Sequence, residues 1–218
     1  IEAGIDELTA GLSAGPTAAA DAARAILTTD LASKTASRQV KLGHKTVTIA
    51  GLAKGSGMIA PNMATILSFI VTDAAIETAA LHAALGRAVQ QSFNRISVDQ
   101  HTSPSDMALA LANGAAGGRP MNERSRDYSD FEQALTDLCC DLAHQIVKDG
   151  EGATRVFRLR VTGARTEREA DRVGKAVVDS PLVKTAVHGA DPNWGRIVTA
   201  AGYSGAMHVF SPDGYLEQ

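Results

Sequence analysis

Hydrophobic residues recur at helical spacing along several stretches of the chain, and these stretches are predicted to be helices. Two of them lie near the start, at residues 2–13 and 17–27. A longer helix is expected at 74–93, with Asp73 as its N-cap. A fourth helix runs to about residue 148. Its apolar face consists of Phe131, Leu135, Leu138, Leu142 and Ile146.

Shorter apolar or alternating runs between these helices predict β-strands. Segments 38–42 and 45–49 flank a Gly-His pair, which is a two-residue hairpin signal. Residues 66–71 are apolar and rich in β-branched and aromatic side chains, as expected of a buried strand. Further short strands are expected at 95–99 and at 157–161, where apolar residues alternate with arginines.

The remaining patterns complete the picture of a mixed α/β chain. The run 107–112 fits a strand or a helix equally well. Thr166 and Glu169 form a capping box that should open a helix. Asn193 is expected to start the last helix, with Trp194 packed against the core. Strands mixed with helices, including one hairpin, indicate an α/β sandwich rather than a regular doubly wound sheet.

Composition and charge narrow the classes of function. The chain has 218 residues, a net charge of −3 and a pI near 6.1, so it lacks the basic surface that a nucleic-acid partner needs. Its apolar runs are shorter than the roughly 20 residues of a membrane helix. Cys139 and Cys140 are helix neighbours that cannot bridge without strain, which predicts reduced thiols and a cytoplasmic location. The histidines show no close ligand spacing, so no metal site is expected.

A glycine-rich loop at 55–57 leads through Pro61-Asn62 into the strand at 66–71, with Thr65 at the junction. A threonine in this position is commonly a turn residue whose hydroxyl satisfies a backbone group, and spacing alone favours that interpretation. The alternative is a nucleophile. If the bond between Ala64 and Thr65 were cut, the new α-amine of Thr65, with an ordinary pKa of about 7.7–8.0, would serve as its own base.

Four ordered blocks of the sequence resemble the ornithine acetyltransferase family, the bifunctional glutamate N-acetyltransferases of arginine biosynthesis. The blocks are Thr28-Thr29-Asp30 with Lys34, KGSGMIAPNMATIL at 54–67, DGEGATR at 149–155, and VKT at 183–185 followed by DPNWGR at 191–196. The resemblance extends over essentially the whole chain. It implies an α/β mixed-sheet sandwich of the ornithine acetyltransferase and self-cleaving aminopeptidase type, similar to N-terminal-nucleophile enzymes.

The resemblance also implies roles for individual residues. Cleavage between Ala64 and Thr65 would make Thr65 the catalytic nucleophile, which carries acetyl from N-acetylornithine to glutamate. The substrate-binding residues would be Thr28, Lys54, Thr65 and Glu151. Without the resemblance, Lys54 would be taken for a solvated surface lysine, Glu151 for an ordinary loop carboxylate and Thr28 for a helix-end residue.

The resemblance also predicts how the chain is divided into fragments and how these fragments assemble. Residues 1–64 would form the C-terminal part of an α fragment and residues 65–218 a β fragment truncated at its C-terminus. These fragments would form a heterotetramer. The family's oxyanion-hole element is expected upstream of Ile1, and its last substrate residues beyond Gln218. No bound cofactor is implied, and acetyl-CoA stays open as a co-substrate.

Two other functions stay open at this point. A self-cleaving aminopeptidase or amidase of related fold would pass the acyl group to water instead of an amine. A non-catalytic homologue would keep the fold without the reaction. In addition, segment 99–106 departs from the family's Asp-Gly-Asp-Thr-Ser-Thr-Asn-Asp pattern, which leaves acceptor specificity open.

Overall fold

The centre of the molecule is a mixed four-stranded sheet. The computed structural model describes residues 2–60, 66–103 and 105–206, together with a strand pair at 210–211 and 214–215. The sheet has the order β1-β2-β3-β4, in which β1 to β3 are antiparallel neighbours and β3 and β4 run parallel. Its strands are β1 Lys34–Leu42, β2 Lys45–Lys54, β3 Leu67–Thr72 and β4 Met107–Ala112.

The predicted hairpin is confirmed, and the predicted strand at 66–71 is confirmed as β3, with only one of its faces buried. β1 and β2 pair over their whole length around the turn between Leu42 and Lys45. The run that fitted a strand or a helix is strand β4, because it lies parallel to β3 with Leu67 opposite Met107. A short separate pair consists of β5 Phe210–Ser211 and β6 Gly214–Tyr215.

Within the described residues there are also seven α-helices. They are α1 Glu2–Ala10, α2 Pro16–Ala25, α3 Thr78–Gln91, α4 Tyr128–Lys148, α5 Glu167–Asp179, α6 Pro181–His188 and α7 Trp194–Tyr203. Helix α4 packs on β1 and β2, and α3 packs on α4 and β4. The two helices therefore cover one face of the sheet.

The main core lies between this helical layer and the sheet. The five predicted apolar residues of α4 are completely buried, and Ile49 and Ile70 of the sheet join them. The opposite face of the sheet is apolar but exposed at its β3–β4 side, where Val71, Leu109 and Leu111 are 52%, 38% and 57% accessible. Burial of the first face accounts for the tight association of α4 with the sheet.

Helix α3 begins later than predicted. Asp73 is not its cap, because its Oδ1 accepts a hydrogen bond from Thr48 N at 2.7 Å and so ties the end of β3 to β2. The next residues pair with an extended segment, since Met121 N donates to Ala75 O and Glu77 N to Met121 O, both at 2.9 Å. These contacts keep residues 73–77 out of the helix.

Two strand predictions are wrong. A 3₁₀ turn, Phe93–Arg95, ends at the first residue of the strand expected at 95–99, and residues 96–99 belong to no strand. Residues 157–161 do alternate in burial, with Phe157 and Leu159 packed against a second cluster, but no described strand pairs with them. Alternating apolar and polar residues indicate an extended chain with one buried side. Such a segment is a β-strand only if its backbone is hydrogen-bonded to a neighbouring strand.

Helices α5, α6 and α7 pack on one another around a small second core of Val177, Val183, Ala200 and Ala201. The predicted cap of α5 is confirmed, since Glu169 N donates to Thr166 Oγ1 at 3.1 Å. Asn193 is the N-cap of α7 as predicted. The predicted packing of Trp194 against the core is wrong, because this side chain is 74% exposed.

Both cysteines are free thiols, as predicted. Burial in α4 raises the pKa of Cys139 to about 12, and burial also raises that of Cys140. Neither thiol is therefore an activated nucleophile at neutral pH.

Candidate active site

The two residues of the predicted cleavage bond, Ala64 and Thr65, lie outside the described residues, as do residues 61–63. The position where the chain resumes is firmly held. Ile66 N donates to Asp106 Oδ1 at 2.8 Å, and Met107 N donates to Ile66 O at 3.0 Å. Ile66, the residue that follows Thr65, is thus fixed at the end of the sheet at which the parallel strands β3 and β4 both begin.

Asp106 is an unusual carboxyl group. Its Oδ2 is buried and has no hydrogen-bond partner among the described residues. Burial raises its pKa, while the hydrogen bond from Ile66 N and the positive charge of Lys54 lower it in part. This half-satisfied carboxyl group, bonded to the residue that follows Thr65 in the sequence, can therefore accept one more hydrogen bond or a proton.

Lys54 is at the end of β2, opposite Leu67 of β3. Its side chain is only 8% exposed, so the interpretation as a solvated surface lysine is wrong. Among the described residues it forms no ion pair. Asp106 attracts the Lys54 ammonium only at longer range than an ion pair. Burial of an ammonium without a close anionic partner is costly, and an anionic ligand would reduce that cost.

Glu151 lies against the glycine-rich loop. A Cβ built on Gly57 would fall 2.6 Å from Cδ of Glu151 and within 2.8 Å of both its carboxylate oxygens. Glu151 N also donates to Ser56 O at 2.9 Å. The carboxylate thus reaches the loop at the one residue type that leaves room for it.

The first part of that loop is held from three sides. Gly55 N donates to Asp30 Oδ1 at 2.7 Å, and Ser56 Oγ donates to Asp149 O at 2.8 Å. Met58 N and Ile59 N donate to the two oxygens of Asp99 at 2.6 and 3.0 Å. Most of the loop is buried as a result, with Ser56 and Ile59 only 3% and 1% exposed.

Thr28 is on the exposed turn that follows α2. Its backbone N donates to Asp30 Oδ2 at 3.2 Å. Asp30 also holds Gly55, so the structure brings the Thr28 turn, the Lys54–Gly55 corner and Glu151 to one loop. Of the four residues expected to bind substrate, these three are described, and all three lie around residues 54–57.

A cavity of about 280 Å³ adjoins Glu151. Lys184 lines the cavity, and its Nζ donates to Val98 O at 2.7 Å. Burial lowers the pKa of Lys184, and the negative charges of Asp179 and Asp99 offset part of this effect. On the same wall, Thr154 Oγ1 and His188 Nδ1 are hydrogen-bonded at 2.7 Å. Thr28 and Lys54 do not line this cavity. Of the three described residues expected to bind substrate, only Glu151 therefore adjoins both the loop at 54–57 and the cavity.

Comparison with known proteins decides the family. A model of the ArgJ family matches residues 1–214. The chain belongs to the ArgJ family. This finding confirms the family resemblance that the four sequence blocks indicated.

Two relatives show how close the ArgJ-family match is. The arginine biosynthesis bifunctional protein ArgJ of Shouchella clausii is 51% identical over 213 residues, which is 98% of this chain and 50% of that protein. The protein of the same name from Geobacillus stearothermophilus is 50% identical over 206 residues, 94% of this chain and 50% of its own length. The chain thus spans about half the length of these relatives.

A solved ArgJ structure supports the fold. The arginine biosynthesis bifunctional protein ArgJ of Bacillus halodurans superimposes with a TM-score of 0.63 and 46% sequence identity, covering 65% of this chain and 66% of that one. The predicted mixed α/β fold of this family is therefore confirmed. In the described part of the chain, no helix has the length and apolarity needed to cross a membrane.

The sequence reasoning missed residues that the ArgJ-family structure brings to the loop. Asp106 was seen only as the end of a segment that departs from the family pattern. The parallel pairing of β3 and β4 puts positions 66 and 106 side by side, so an acidic residue directly before β4 was the available signal. Lys34 and Asp149 stood in the compared blocks, but nothing in the spacing showed that they meet. No cluster of three or more potential metal ligands occurs among the described residues.

Proposed function

We propose that the protein containing this chain transfers an acetyl group from N-acetylornithine to glutamate through an acetyl-threonine intermediate on Thr65. Self-cleavage between Ala64 and Thr65 precedes the transfer. Thr28, Lys54 and Glu151 bind the substrates together with Thr65. Residues 1–64 belong to an α fragment and 65–218 to a β fragment, and two of each assemble into a heterotetramer in a cytoplasmic enzyme.

The observation that carries this proposal is the pair of opposite charges around the loop that leads to Thr65. Lys54 is a buried cation without a described ion-pair partner, and the Glu151 carboxylate lies on Gly57. The Cα atoms of residues 54 and 57 are at most about 11 Å apart, a separation on the scale of one amino-acid ligand. The α-carboxylate shared by ornithine and glutamate fits Lys54, and an ammonium of ornithine fits Glu151.

The chemistry follows from the residue types. Thr65 Oγ attacks the Ala64 carbonyl carbon, the peptide nitrogen leaves as the new α-amine, and water hydrolyses the resulting ester to free the Ala64 carboxylate and the Thr65 hydroxyl. In turnover the α-amine accepts the Oγ proton as Oγ attacks the acetyl carbonyl, and ornithine leaves. The amine of glutamate then attacks the acetyl ester, N-acetylglutamate leaves, and Oγ recovers its proton. No bound cofactor takes part, and acetyl-CoA is a second donor to be tested.

Two measurements on the full-length protein test the nucleophile. Intact mass spectrometry should show a piece that begins at Thr65, and exposure to N-acetylornithine should add one acetyl group to it. Thr65→Ala should prevent cleavage and lower transfer by more than about a thousandfold, the scale expected when a covalent nucleophile is removed. A Thr65→Ala protein that still transfers acetyl would reject the assignment.

The substrate residues are tested by matched lysine variants. Lys54→Met should raise KM about 10- to 100-fold, as expected for one lost charge-assisted hydrogen bond. Lys41→Met is the control, because Lys41 is an exposed residue on the neighbouring strand β1 and should leave KM unchanged. Equal effects of the two variants would contradict a substrate-binding role for Lys54.

The two alternative functions make different predictions. A hydrolase of related fold would release ornithine from N-acetylornithine at the same rate with and without glutamate. A non-catalytic homologue would release none, and an uncut chain would leave the Thr65 nitrogen as an amide that cannot act as a base. Ornithine release that depends on glutamate supports the transferase.

A further inference from the structure

Lys34, at the first position of β1, is a charged residue that is almost completely buried. Its ammonium lies between two carboxylates, with Nζ 2.6 Å from Asp30 Oδ1 and 2.5 Å from Asp149 Oδ2. The side chains of Lys34, Asp30 and Asp149 are 1%, 0% and 12% exposed. These three residues, the Asp30–Lys34–Asp149 cluster, join the turn after α2, the start of β1 and the end of α4.

Each carboxylate of the cluster also accepts hydrogen bonds from backbone N–H groups. Asp30 Oδ1 accepts from Gly55 N at 2.7 Å and Asp30 Oδ2 from Thr28 N at 3.2 Å. Asp149 Oδ2 accepts from Leu31 N at 2.9 Å. Burial on its own raises the pKa of Asp30, but the hydrogen bonds from Lys34, Gly55 and Thr28 outweigh it and the pKa is lowered. Asp30 is therefore ionised at neutral pH.

The cluster is connected to Glu151 through the backbone. Asp149 O accepts a hydrogen bond from Ser56 Oγ at 2.8 Å, and Ser56 O accepts one from Glu151 N at 2.9 Å. Thr28 and Gly55, the neighbour of Lys54, bind Asp30 directly. Of the three described substrate residues of the proposed function, Thr28 is bonded to the cluster directly, Lys54 through its neighbour Gly55 and Glu151 through Ser56.

A role in stability alone does not explain such an arrangement well. Buried ion pairs often contribute no more than apolar side chains of the same volume, because desolvation offsets their attraction. What a charged cluster adds is directionality, since each carboxylate oxygen fixes a particular N–H group. Here the N–H groups that it fixes include those of Thr28 and of Gly55, the residue after Lys54, as well as that of Leu31.

We propose that Asp30, Lys34 and Asp149 are positioning residues that hold Thr28, Lys54 and Glu151 in place for substrate binding. This role rests on the proposed function, because it assumes that those three residues contact substrate. The cluster itself does not touch substrate and takes no part in proton transfer. Its loss should therefore be seen in KM rather than in kcat.

The main test variant is Asp30→Ala in the full-length protein. It removes the acceptor of Gly55 N and Thr28 N, while Lys34 keeps Asp149 as a partner, so one ammonium and one carboxylate are left in the cluster. We expect KM for N-acetylornithine to rise at least about tenfold, with kcat within about threefold of wild type. Asp30→Asn should be intermediate, because its amide oxygen can still accept from Gly55 N.

Arg38→Met is the matched control. Arg38 also lies on β1 and pairs with Asp141 of α4, so it joins the same two elements. It is half-exposed and has no hydrogen bond to the described part of the loop, residues 55–60. It should leave KM unchanged. A wild-type KM in a self-cleaved Asp30→Ala protein, or an equal rise in Arg38→Met, overturns the proposal.

Amide hydrogen exchange separates this proposal from the proposed function, since it requires no turnover. Peptides covering residues 26–32 and 52–60 should exchange faster in Asp30→Ala than in wild type and in Arg38→Met. If exchange there is unchanged, the cluster does not position these segments and the proposal fails. If exchange is faster but the wild-type protein transfers no acetyl group, the positioning stands and the proposed function is what fails.

Discussion

Gly57 shows how much a single missing side chain determines in the candidate site. The carboxylate of Glu151 occupies the space that a Cβ on residue 57 would need. Gly57→Ala should therefore push this carboxylate out of place. We expect kcat/KM for N-acetylornithine to fall about tenfold, which corresponds to about 1.4 kcal/mol of transition-state stabilisation.

A double-mutant cycle tests the reason for that loss. In a Glu151→Ala background the carboxylate is absent, so adding Gly57→Ala should cost less than about 0.5 kcal/mol more. Steady-state kinetics of the four proteins give the coupling. If the two losses simply add, the effect of Gly57→Ala comes from the loop backbone and not from Glu151.

At the scale of residues, the structure places the described side chains that the sequence singled out near one another, but their surroundings were not predicted. Lys54, Glu151 and Thr28 were selected by resemblance, and the structure brings all three to one loop. The burial of Lys54 could not be predicted, because it depends on strands that come from distant parts of the chain. The same holds for the Lys34 cluster, in which one carboxylate is local and the other is contributed by the end of α4.

Among the elements, the contact of α4 with β2 depends on Gly51. A Cβ at this position would lie 3.1 Å from Leu138 Cδ2 and 3.2 Å from Leu142 Cδ1 of α4, both fully buried side chains. Gly51→Ala should overpack this interface and lower the free energy of unfolding by about 1–3 kcal/mol. Urea unfolding followed by circular dichroism measures the change.

Gly86→Ala is the matched substitution for that experiment. Gly86 is inside α3, and a Cβ there would have no atom within 4 Å. Alanine at an open helix position stabilises by about 0.5–1 kcal/mol relative to glycine. Opposite signs for the two variants are expected, and a stabilising Gly51→Ala would show that α4 is not seated tightly on β2.

The elements that were predicted correctly are those whose signal is local. The face of α4 and the hairpin of β1 and β2 are encoded within a few residues of each position. The failures at 95–99 and 157–161 have the opposite origin, since a strand exists only through its partner. Asp73 is a residue type that often caps helices. In this structure its carboxylate instead accepts a hydrogen bond from Thr48 N of the neighbouring strand β2.

At the scale of the whole molecule, the predicted cleavage bond falls between strands that belong to one sheet. β1 and β2 precede Thr65, whereas β3, β4 and α4 follow it. β2 and β3 pair in six register positions, from Ile49 opposite Thr72 to Lys54 opposite Leu67. Helix α4 also packs over both β1 and β2, so its fully buried apolar face lies against the piece on the other side of the cut.

Self-cleavage should therefore not separate the two pieces. In this chain they comprise residues 1–64 and 65–218, that is 64 and 218 − 64 = 154 residues. Denaturing electrophoresis of the full-length protein should show two bands, while size-exclusion chromatography without denaturant should show them eluting together. The uncut Thr65→Ala protein should elute at the same position, because neither the strand pairing in the sheet nor the packing of α4 on β1 and β2 requires the bond between residues 64 and 65. Pieces that part without denaturant would mean that the strand pairing across the cut and the packing of α4 do not hold the molecule together.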